Sequence, residues 1–244
     1  MIIALCGKKG AGKDTCARYL LADEMLKNRM ISSFDIRNDS GELYLNFGQQ
    51  NEERDAVVSR IRHLDINNRK CPYLTKLFLE YGIKNYTFAE PLKRKVCIDV
   101  LGLKEQYVYG NQEDKERPSH LRWEDMPGNE ISGPHWGPSG GIYTYKNEGI
   151  MSYREVMQFV GTDLFRKMMP NVWVDACIRQ IQTEKPKLAI IHDCRFINEA
   201  KAVQEVGGVV VKLLRTTSDD NHGSEAEIDK VEADYDLDNR NLTI

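Results

Sequence analysis

The feature that most constrains the fold is a glycine-rich stretch at residues 7–15, with the sequence GKKGAGKDT. A short apolar run at residues 2–6 precedes it, and a helical pattern at residues 14–27 follows it. Glycines in such a loop let backbone N–H groups turn towards phosphate oxygens, and the next helix adds the positive end of its dipole. Strand, loop and helix in this order are the context that a phosphate-binding loop requires. The sequence therefore predicts that this loop, which includes Gly10, Ala11, Gly12, Lys13, Asp14 and Thr15, binds a nucleotide through its phosphates.

Two side chains of this loop are candidates for phosphate and metal chemistry. Lys13 is expected to contact the outer phosphates as a point charge. Asp14 stands where such loops usually carry a hydroxyl that ligates Mg²⁺, and Thr15 follows one position later. A carboxylate facing a triphosphate is repelled unless a cation lies between them. We therefore expect Asp14 to hold Mg²⁺ directly or through water; a substrate-side donor for Asp14 and a helix-capping role are the alternatives.

Strand patterns and helical patterns alternate along the rest of the chain. Apolar runs predict strands at residues 2–6, 86–89, 188–192 and 208–214. Helices are predicted at residues 14–27, after Pro91, and at residues 153–167, 172–182 and 198–206. Strands separated by helices and short turns indicate a parallel sheet covered on both faces. The predicted class is therefore a single α/β domain with three layers, α/β/α.

Two stretches do not fit this alternation and are expected to be insertions. Residues 35–70 are polar and weakly patterned. Residues 110–149 contain four of the eight prolines and seven of the eighteen glycines, which excludes a long helix there. We expect residues 104–150 to form a lid or a substrate-side insertion, with a merely decorative insertion as the alternative.

Composition excludes several classes of protein. The 34 basic and 37 acidic residues give a net charge of −3, which disfavours a non-specific nucleic-acid binder. No apolar run is long enough to span a membrane, and the run at residues 2–6 is too short for a signal-peptide core. Six cysteines without a C-x-x-C pair predict structural thiols rather than a zinc site. A cytoplasmic location and no membrane partner are expected.

A second group of polar residues lies on the helix predicted at residues 153–167. Arg154, Gln158 and the pair Gly161 and Thr162 recur at a spacing that places them on one helix face. Arg154 could meet a phosphate and Gln158 could read a base edge. Gly161 would let a base or sugar approach the backbone closely. The alternative is a solvated polar face with a glycine that serves helix packing.

A third group follows the strand predicted at residues 188–192. The carboxyl edge of an α/β sheet is where functional groups are usually placed. Asp193 could accept hydrogen bonds from Mg²⁺-bound water or orient Arg195, and Arg195 could neutralise charge on a transferring phosphoryl group. An ion pair at the strand end is the alternative. Asn198 and Glu199 are explained equally well as helix N-terminal caps.

Four further residues are weaker candidates. Lys93 begins a run of three cations in a helix's first turn, where a substrate phosphate would offset their repulsion by the helix dipole. Lys115 could reach a phosphate when a lid closes. Trp173 could stack on a base, although core packing is commoner for tryptophan. Arg215, at a strand end, could lie over the ATP adenine or phosphates.

These motifs together resemble those of the phage deoxynucleoside monophosphate kinases. The resemblance lies in GKKGAGKDT at residues 7–15, FAEPLK at 88–93, REVMQFVGTD at 154–163, Trp173 and DCRFINE at 193–199. The HGSE segment at residues 222–225 and the Asp238–Asn239 pair look like that family's closing segments. The family's own G-K-D-T form accounts for Asp14 in the loop.

The resemblance implies a P-loop NTPase fold of the nucleoside monophosphate kinase type, which transfers the ATP γ-phosphoryl group to a deoxynucleoside monophosphate (dNMP) with Mg²⁺. It implies catalytic roles for Lys13, Asp14, Arg154 and Arg195, with Mg²⁺ at Asp14 and Thr15 and ATP at residues 10–15 and Arg215. The implied substrate-binding residues are Leu92, Lys93, Lys115, Arg154, Gln158, Gly161, Thr162, Trp173, Asp193, Arg195 and Glu199. It also implies broad base specificity, in support of phage DNA synthesis in the host cytoplasm. Small molecules are the expected partners, with a homodimer as the default oligomer.

Two other functions remain open from the sequence. A P-loop kinase of another phosphorylated metabolite, such as dephospho-coenzyme A or phosphomevalonate, would share the loop. A nucleotide-binding regulatory module would bind ATP without transferring phosphate. The Arg154 and Arg195 pair exceeds what ATP binding alone needs, which argues against the second of these.

Overall fold

The computed structural model describes residues 1–8, 10–37, 41–47, 61–64, 71–135, 141–145, 147–215 and 228–240. The chain divides into two compact units. The first consists of Met1–Phe88 together with Val174–Ile244, and the second of Ala89–Trp173.

A five-stranded parallel sheet forms the centre of the first unit. Its strands are β1 (Ile2–Cys6), β5 (Ile83–Tyr86), β10 (Leu188–Cys194), β11 (Val209–Leu213) and β12 (Tyr235–Leu237). They lie in the order β12-β11-β1-β10-β5. The central strand β1 pairs Ile3 with Ile190 on one side and with Val209 on the other. Nearly continuous apolar strands such as β10 are typical of a sheet that is buried on both faces.

Helices cover both faces of this sheet. They are α1 (Lys13–Lys27), α2 (Pro72–Tyr81), α6 (Val172–Glu184) and α7 (Ile197–Glu205). One buried cluster joins the sheet to α1 and α2 through Ala17, Leu21, Met25, Leu77, Ile83 and Ile190. A second cluster joins it to α6 and α7 through Cys177, Ile181, Ile191, Ala200 and Val203. The predicted α/β class, with a parallel sheet between helical layers, is confirmed.

A small antiparallel sheet occupies part of the weakly patterned stretch at residues 35–70. It contains β2 (Ser33–Ile36), β3 (Leu43–Asn46) and β4 (Ile61–Leu64). Ile36, Leu43 and Leu45 are buried in the cluster that also contains α1. The alternation of Leu43 and Leu45 with polar neighbours is a strand signal that the sequence analysis missed. The rest of this predicted insertion, at 38–40, 48–60 and 65–70, lies outside the described residues.

The second unit is built from short elements around its own core. Its helices are Leu92–Val100, α3 (Glu105–Val108), α4 (Gln112–Glu116), a short 3₁₀ turn at Trp123–Asp125, and α5 (Tyr153–Gln158), which continues as Phe159–Arg166. Its strands are β6 (Pro118–Arg122), β7 (Glu130–His135), β8 (Gly141–Tyr145) and β9 (Ile150–Ser152). Leu92–Val100 and Phe159–Arg166 are both wound in the wider π form. The core contains Cys97, Leu103, Val108, Met151, Val156 and Val160.

The proline- and glycine-rich stretch at residues 110–149 is organised by a buried asparagine. Asn129 is 3% exposed, and its Nδ2 donates to the carbonyls of Trp123 at 2.8 Å and Asn147 at 2.9 Å. The backbone N–H of Asn147 donates back to Asn129 Oδ1 at 3.1 Å. The longest helix in the described part of this stretch is α4, as expected from its composition. Residues 136–140 and 146 lie outside the described residues.

Two strand predictions need correction. The prediction of a strand at residues 86–89 is wrong. Strand β5 ends at Tyr86, and residues 88 and 89 lie in a turn. Phe88 contributes to the apolar signal because it is buried in the core, although it does not belong to the strand. The edge strand β12 was not predicted, because it is three residues long and exposed.

The cysteine side chains and the lengths of the helices bear on the predictions about thiols and membranes. All six cysteines are free, and Cys16 alone is incompletely buried. Burial raises the pKa of the Cys97 thiol to about 11, as expected of structural thiols. In the described ranges, no three His, Cys, Asp or Glu side chains form a metal-binding group. No helix within those ranges is long and apolar enough to cross a membrane.

A polar network fastens the edge strand β5 to α6. Glu184 accepts hydrogen bonds from Lys84 Nζ and from the Tyr86 hydroxyl, both at 2.7 Å. Gln180 Nε2 donates to the other carboxylate oxygen of Glu184 at 2.8 Å. Burial alone would raise the pKa of Glu184, but these three donors outweigh it and the pKa is lowered. The carboxylate is therefore held in its ionised form.

Candidate active site

The loop between β1 and α1 has a backbone that only glycine adopts readily. Gly7, Gly10 and Gly12 have φ angles of +152°, +78° and +90°. A Cβ at Gly7 would lie 2.9 Å from the carbonyl oxygen of Leu213 in β11. The glycines predicted from the sequence are therefore required by the loop's own geometry. Residue 9 lies outside the described residues.

Lys13, the first residue of α1, is folded into this loop. Its side chain is buried, at 8% exposure. Its Nζ donates hydrogen bonds to the carbonyls of Gly7 and Lys8, the second at 2.9 Å. The backbone N–H of Ala11 also donates to the Lys8 carbonyl at 3.1 Å. The ammonium group is thus held against the loop backbone at the positive end of α1, where an anion is favoured.

Asn239 connects the same loop to the end of β11. Its Nδ2 donates to the carbonyl of Ala11 at 2.8 Å, and its Oδ1 accepts from the backbone N–H of Arg215 at 2.8 Å. The predicted ATP residue Arg215 is therefore tied to the nucleotide loop through Asn239, and its side chain is exposed. Sequence reasoning gave Asn239 no role of its own, because its two partners lie far away in the chain.

The Asp14 carboxylate projects from the first turn of α1 and is 62% exposed. Its Oδ1 lies 3.1 Å from Nδ1 of His192 in β10. The hydrogen bond with His192 is the main cause that lowers the pKa of Asp14, and the positive charges of Arg18 and Lys13 act in the same direction. Asp14 is therefore an ionised oxygen donor beside the phosphate loop. Mg²⁺ bound to a nucleotide commonly takes one or two such carboxylates, so this donor fits the ion.

Thr15 faces away from Asp14, towards the loop after β2. A Cβ built on Gly41 would lie 2.6 Å from Thr15 Oγ1. Arg18, on the next turn of α1, donates to the Gly41 carbonyl at 2.6 Å. Successive helix residues point about 100° apart, which places the hydroxyl of Thr15 and the carboxylate of Asp14 on different faces. Of the two predicted Mg²⁺ ligands, the geometry favours Asp14.

The three candidates at the end of β10 differ in their surroundings. Asp193 accepts a hydrogen bond from the backbone N–H of Phe88 at 2.9 Å. Glu199 is 2% exposed and accepts from the backbone N–H groups of Arg195 at 2.7 Å and Phe196 at 3.1 Å. This favours the capping alternative for Glu199 over substrate contact. The Arg195 side chain, two residues before α7 begins, is exposed and therefore accessible to a phosphate.

In the second unit, three predicted phosphate-binding residues form a cationic cluster. Lys115 lies in the last turn of α4, Lys93 lies in the helix Leu92–Val100, and Arg154 is the second residue of α5. Burial lowers the pKa of Lys115, and the positive charges of Lys93 and Arg154 lower it further. Arg154 is oriented by hydrogen bonds to Glu116 and to Gln112. The Glu116 carboxylate, which pairs with Arg154, and the charge of Asp114 beside Lys115 offset part of the repulsion, and a bound dianion would relieve it further.

The remaining residues around α5 divide into exposed and buried. Gln158 and Thr162 are exposed, one helical turn apart, and stay candidates for substrate contact. Gly161 is buried, and a Cβ there would lie 2.6 Å from Cδ2 of Leu92. Trp173 is 5% exposed, and its Nε1 donates to the Gly161 carbonyl at 2.9 Å. For Gly161, Leu92 and Trp173, these contacts favour core packing over contact with a base.

His192 is the last residue of the strand predicted at residues 188–192 and was given no role there. It is 5% exposed and contacts Asp14. A signal was present in the sequence, because His192 is the first polar residue after four apolar residues at the carboxyl end of a strand. The spacing between residues 14 and 192 did not reveal the pair, since it depends on β1 and β10 being neighbours in the sheet.

The parallel sheet, the glycine loop after its central strand and the buried lysine are consistent with an α/β fold of the P-loop kinase-like type. Two comparisons refine this class. Residues 141–242 match the profile of a family described as deoxynucleotide monophosphate kinase. A putative deoxynucleotide monophosphate kinase of Acanthamoeba polyphaga mimivirus is 29% identical over 170 residues, which is 64% of this chain and 74% of the viral protein. Both matches are similarities to deoxynucleotide monophosphate kinases, one to a family profile and one to a viral protein.

The profile match and the phosphate loop are independent observations. The matched interval begins at residue 141, whereas the loop lies at residues 7–15. Arg154, Gln158, His192 and Arg195 lie within the interval, and Lys93 and Lys115 lie outside it. The phosphate-loop pattern and the profile match therefore lie on different residues of the chain.

Proposed function

We propose that the chain is an ATP- and Mg²⁺-dependent deoxynucleoside monophosphate kinase that converts ATP and a dNMP into ADP and a dNDP. The observation that carries this proposal is the cationic cluster of Lys93, Lys115 and Arg154 in the second unit. The phosphate loop already supplies the first unit with a site for the donor nucleotide. A second group of three cations exceeds what ATP binding requires and suits the phosphate of an acceptor.

The loop would bind the donor by charge and by backbone donors. Lys13 Nζ, now bonded to the carbonyls of Gly7 and Lys8, lies at the positive end of α1 and would exchange these partners for phosphate oxygens. Asp14 would hold Mg²⁺, which would neutralise charge on the β- and γ-phosphates. Asn239 keeps the loop in place through the Ala11 carbonyl.

The acceptor would be oriented mainly by the second unit. Its phosphate would meet Lys93, Lys115 and Arg154, while the exposed Gln158 and Thr162 would face its base or sugar. In the transfer, a phosphate oxygen of the dNMP forms a bond to the γ-phosphorus as the bond from that phosphorus to the β–γ bridging oxygen breaks. Arg195 would neutralise charge on the transferred group. Catalysis then consists of positioning and charge stabilisation.

Two alanine substitutions test these roles. We expect Lys13→Ala and Arg195→Ala each to lower kcat/KM by at least about 10²-fold, since each removes a charge that stabilises the transferring phosphate. Matched controls are Lys27→Ala, on the exposed end of α1, and Lys201→Ala, on the exposed face of α7. Both controls should retain wild-type turnover. Near-wild-type ADP production by Lys13→Ala or Arg195→Ala would contradict the assigned roles.

A panel of acceptors tests the reaction itself. The protein is incubated with Mg²⁺ and ATP and, in turn, with each dNMP, each ribonucleoside monophosphate, dephospho-coenzyme A and phosphomevalonate, and ADP is measured. We expect turnover with several dNMPs, in keeping with the broad base use and supply of DNA precursors that we propose for a phage protein. Turnover only with another metabolite would assign a different kinase. Tight ATP binding without turnover on any acceptor would indicate a regulatory module.

A further inference from the structure

His192 occupies a position in β10 where folding alone would favour an apolar side chain. The four preceding residues, Leu188 to Ile191, are all buried and apolar. Ile190, two residues earlier and therefore on the same face of the strand, packs in the cluster that contains α1. His192 is itself only 5% exposed. A polar ring in such a place is unfavourable unless its nitrogens are hydrogen-bonded.

Only one of its two nitrogens is satisfied within the described structure. Nδ1 lies 3.1 Å from Oδ1 of Asp14. Nε2 is buried and has no hydrogen-bond partner among the described residues. Because an ionised carboxylate only accepts, Nδ1 must carry the proton in this contact. We place a ring proton on Nδ1, which donates to Asp14, and leave the buried Nε2 without a partner among the described residues.

The main effect that we assign to the hydrogen bond is on the orientation of one carboxylate. Asp14 is 62% exposed, so the contact with His192 adds less to the stability of the fold than a buried pair would. A surface aspartate without a partner rotates among several side-chain conformers. The contact with a ring that is packed inside β10 selects one of them. Asp14 is also the residue that stands beside Lys13 at the nucleotide loop.

We propose that His192 is a positioning residue for phosphoryl transfer, which holds the Asp14 carboxylate in the orientation that Mg²⁺·ATP requires. This inference rests on the proposed kinase function. On this proposal, the strand β10, which is paired with β1, holds the metal-binding carboxylate in place, and the loop does not. His192 acts through Asp14 and need not touch the nucleotide.

Three substitutions separate this role from a structural one. His192→Asn keeps an N–H donor at the position of Nδ1, His192→Gln moves the donor outwards, and His192→Leu removes it. We expect kcat near wild type for His192→Asn and a decrease of about tenfold or more for His192→Leu, the effect of losing one hydrogen bond to a charged group. His192→Gln should resemble His192→Leu. The half-saturating Mg²⁺ concentration should rise in parallel, with KM for the dNMP unchanged.

Stability provides the matched control. His192→Leu should have a melting temperature equal to or above that of the wild type, because it removes an unpaired buried nitrogen. Ile190→Val, on the same face of the same strand, should lower the melting temperature and leave kcat and the Mg²⁺ requirement unchanged. A decrease in kcat that follows the loss of stability in both variants would overturn the proposal.

A spectroscopic measurement tests the contact without metal or turnover. In long-range ¹H–¹⁵N spectra of the metal-free protein, the His192 ring should show the Nδ1–H tautomer, and Asp14→Ala should change this signature. An unchanged signature would refute the hydrogen bond. The ATP affinity of the wild type and of His192→Leu is then measured with and without Mg²⁺. His192→Leu should reduce the increase in affinity on adding Mg²⁺ and leave the affinity without Mg²⁺ unchanged. In an Asp14→Ala background, His192→Leu should have no further effect on that affinity.

These readouts separate failure of the inference from failure of the proposed function. If the wild type phosphorylates dNMPs and His192→Leu is as active as His192→Asn, the inference is wrong and the kinase function stands. If no acceptor is phosphorylated by the wild type, the kinase function is wrong. The role of His192 in Mg²⁺·ATP binding is then decided by the affinities: an equal gain from Mg²⁺ in the wild type and His192→Leu would overturn it.

Discussion

Replacing Gly7 by alanine should destabilise the protein and weaken ATP binding, for two reasons that can be measured separately. At φ +152° an alanine lies outside the backbone regions that L residues occupy, a strain of about 1–3 kcal/mol. Its Cβ would also lie 2.9 Å from the Leu213 carbonyl oxygen and 3.1 Å from the Ala11 Cβ. A backbone carbonyl in β11 cannot rotate away, so overpacking adds about 1–3 kcal/mol. The combined loss is about 2–6 kcal/mol.

Gly207→Ala is the matched control for the backbone term. Gly207 follows α7 at φ +77°, and no atom of the described residues lies within 4 Å of its added Cβ. It should therefore lose only about 1–2 kcal/mol, the cost of a left-handed conformation. Urea unfolding gives the two free energies, and equilibrium titration gives ATP affinity, which only Gly7→Ala should weaken. Equal stabilities for the two variants, with unchanged ATP affinity in both, would refute the steric argument.

Three further predictions concern other contacts. Glu184→Ala should lower the free energy of unfolding by about 1–3 kcal/mol at pH 7, because Lys84 and the buried Tyr86 hydroxyl lose their acceptor. The pKa of Glu184 is lower in the folded protein than in the unfolded chain, where it is about 4.3. The difference in unfolding free energy between the wild type and Glu184→Ala should therefore be greatest above that pH and should shrink as the pH falls further. A difference that stays constant in acid would contradict this. Gly161→Ala should change the free energy of unfolding by less than about 1 kcal/mol, because the added Cβ meets a rotatable leucine methyl and the helix propensity improves. KM for the dNMP should be unchanged. A large rise in KM would show instead that the substrate approaches this glycine. Because the pKa of Lys115 is lowered, the affinity for the dNMP should decline as the pH rises towards that lowered pKa. Arginine keeps its charge at such a pH, so Lys115→Arg should move the decline to higher pH. Coincident pH profiles for the two proteins would exclude Lys115 from phosphate binding.

The parts of the fold that were predicted correctly are those encoded by neighbouring residues. The order of strand, glycine loop and helix at β1 and α1 depends on a pattern within about 27 residues, and each element lies where it was expected. The boundary of β5 was misplaced because Phe88 is apolar for a reason outside the strand: it is buried in the core. Strand β12 has too few residues and too little burial to leave a periodic signal.

The residues of the candidate site divide in the same way, into those predicted from a local motif and those whose contacts only the structure shows. Lys13 was assigned from its position in a motif, and the structure buries it in the loop that the motif predicts. Glu199 and Trp173 were ambiguous in the sequence, since only the structure shows how their polar atoms are occupied. The Asp14–His192 contact depends on the strand order of the sheet, which no local pattern records.

The position of β1 in the sheet has a consequence for folding during synthesis. Ile2 pairs with Ala189 and Ile3 with Val209, so both neighbours of this strand are made long after it. At ribosomal rates of 5–20 residues per second, β1 and the phosphate loop wait roughly 10–40 s for β10 and β11 to emerge. The second unit, Ala89–Trp173, is continuous in the chain and is complete before either strand appears. The unit that contains Lys93, Lys115 and Arg154 is thus able to assemble on a growing chain before β1 and its glycine loop gain both neighbouring strands.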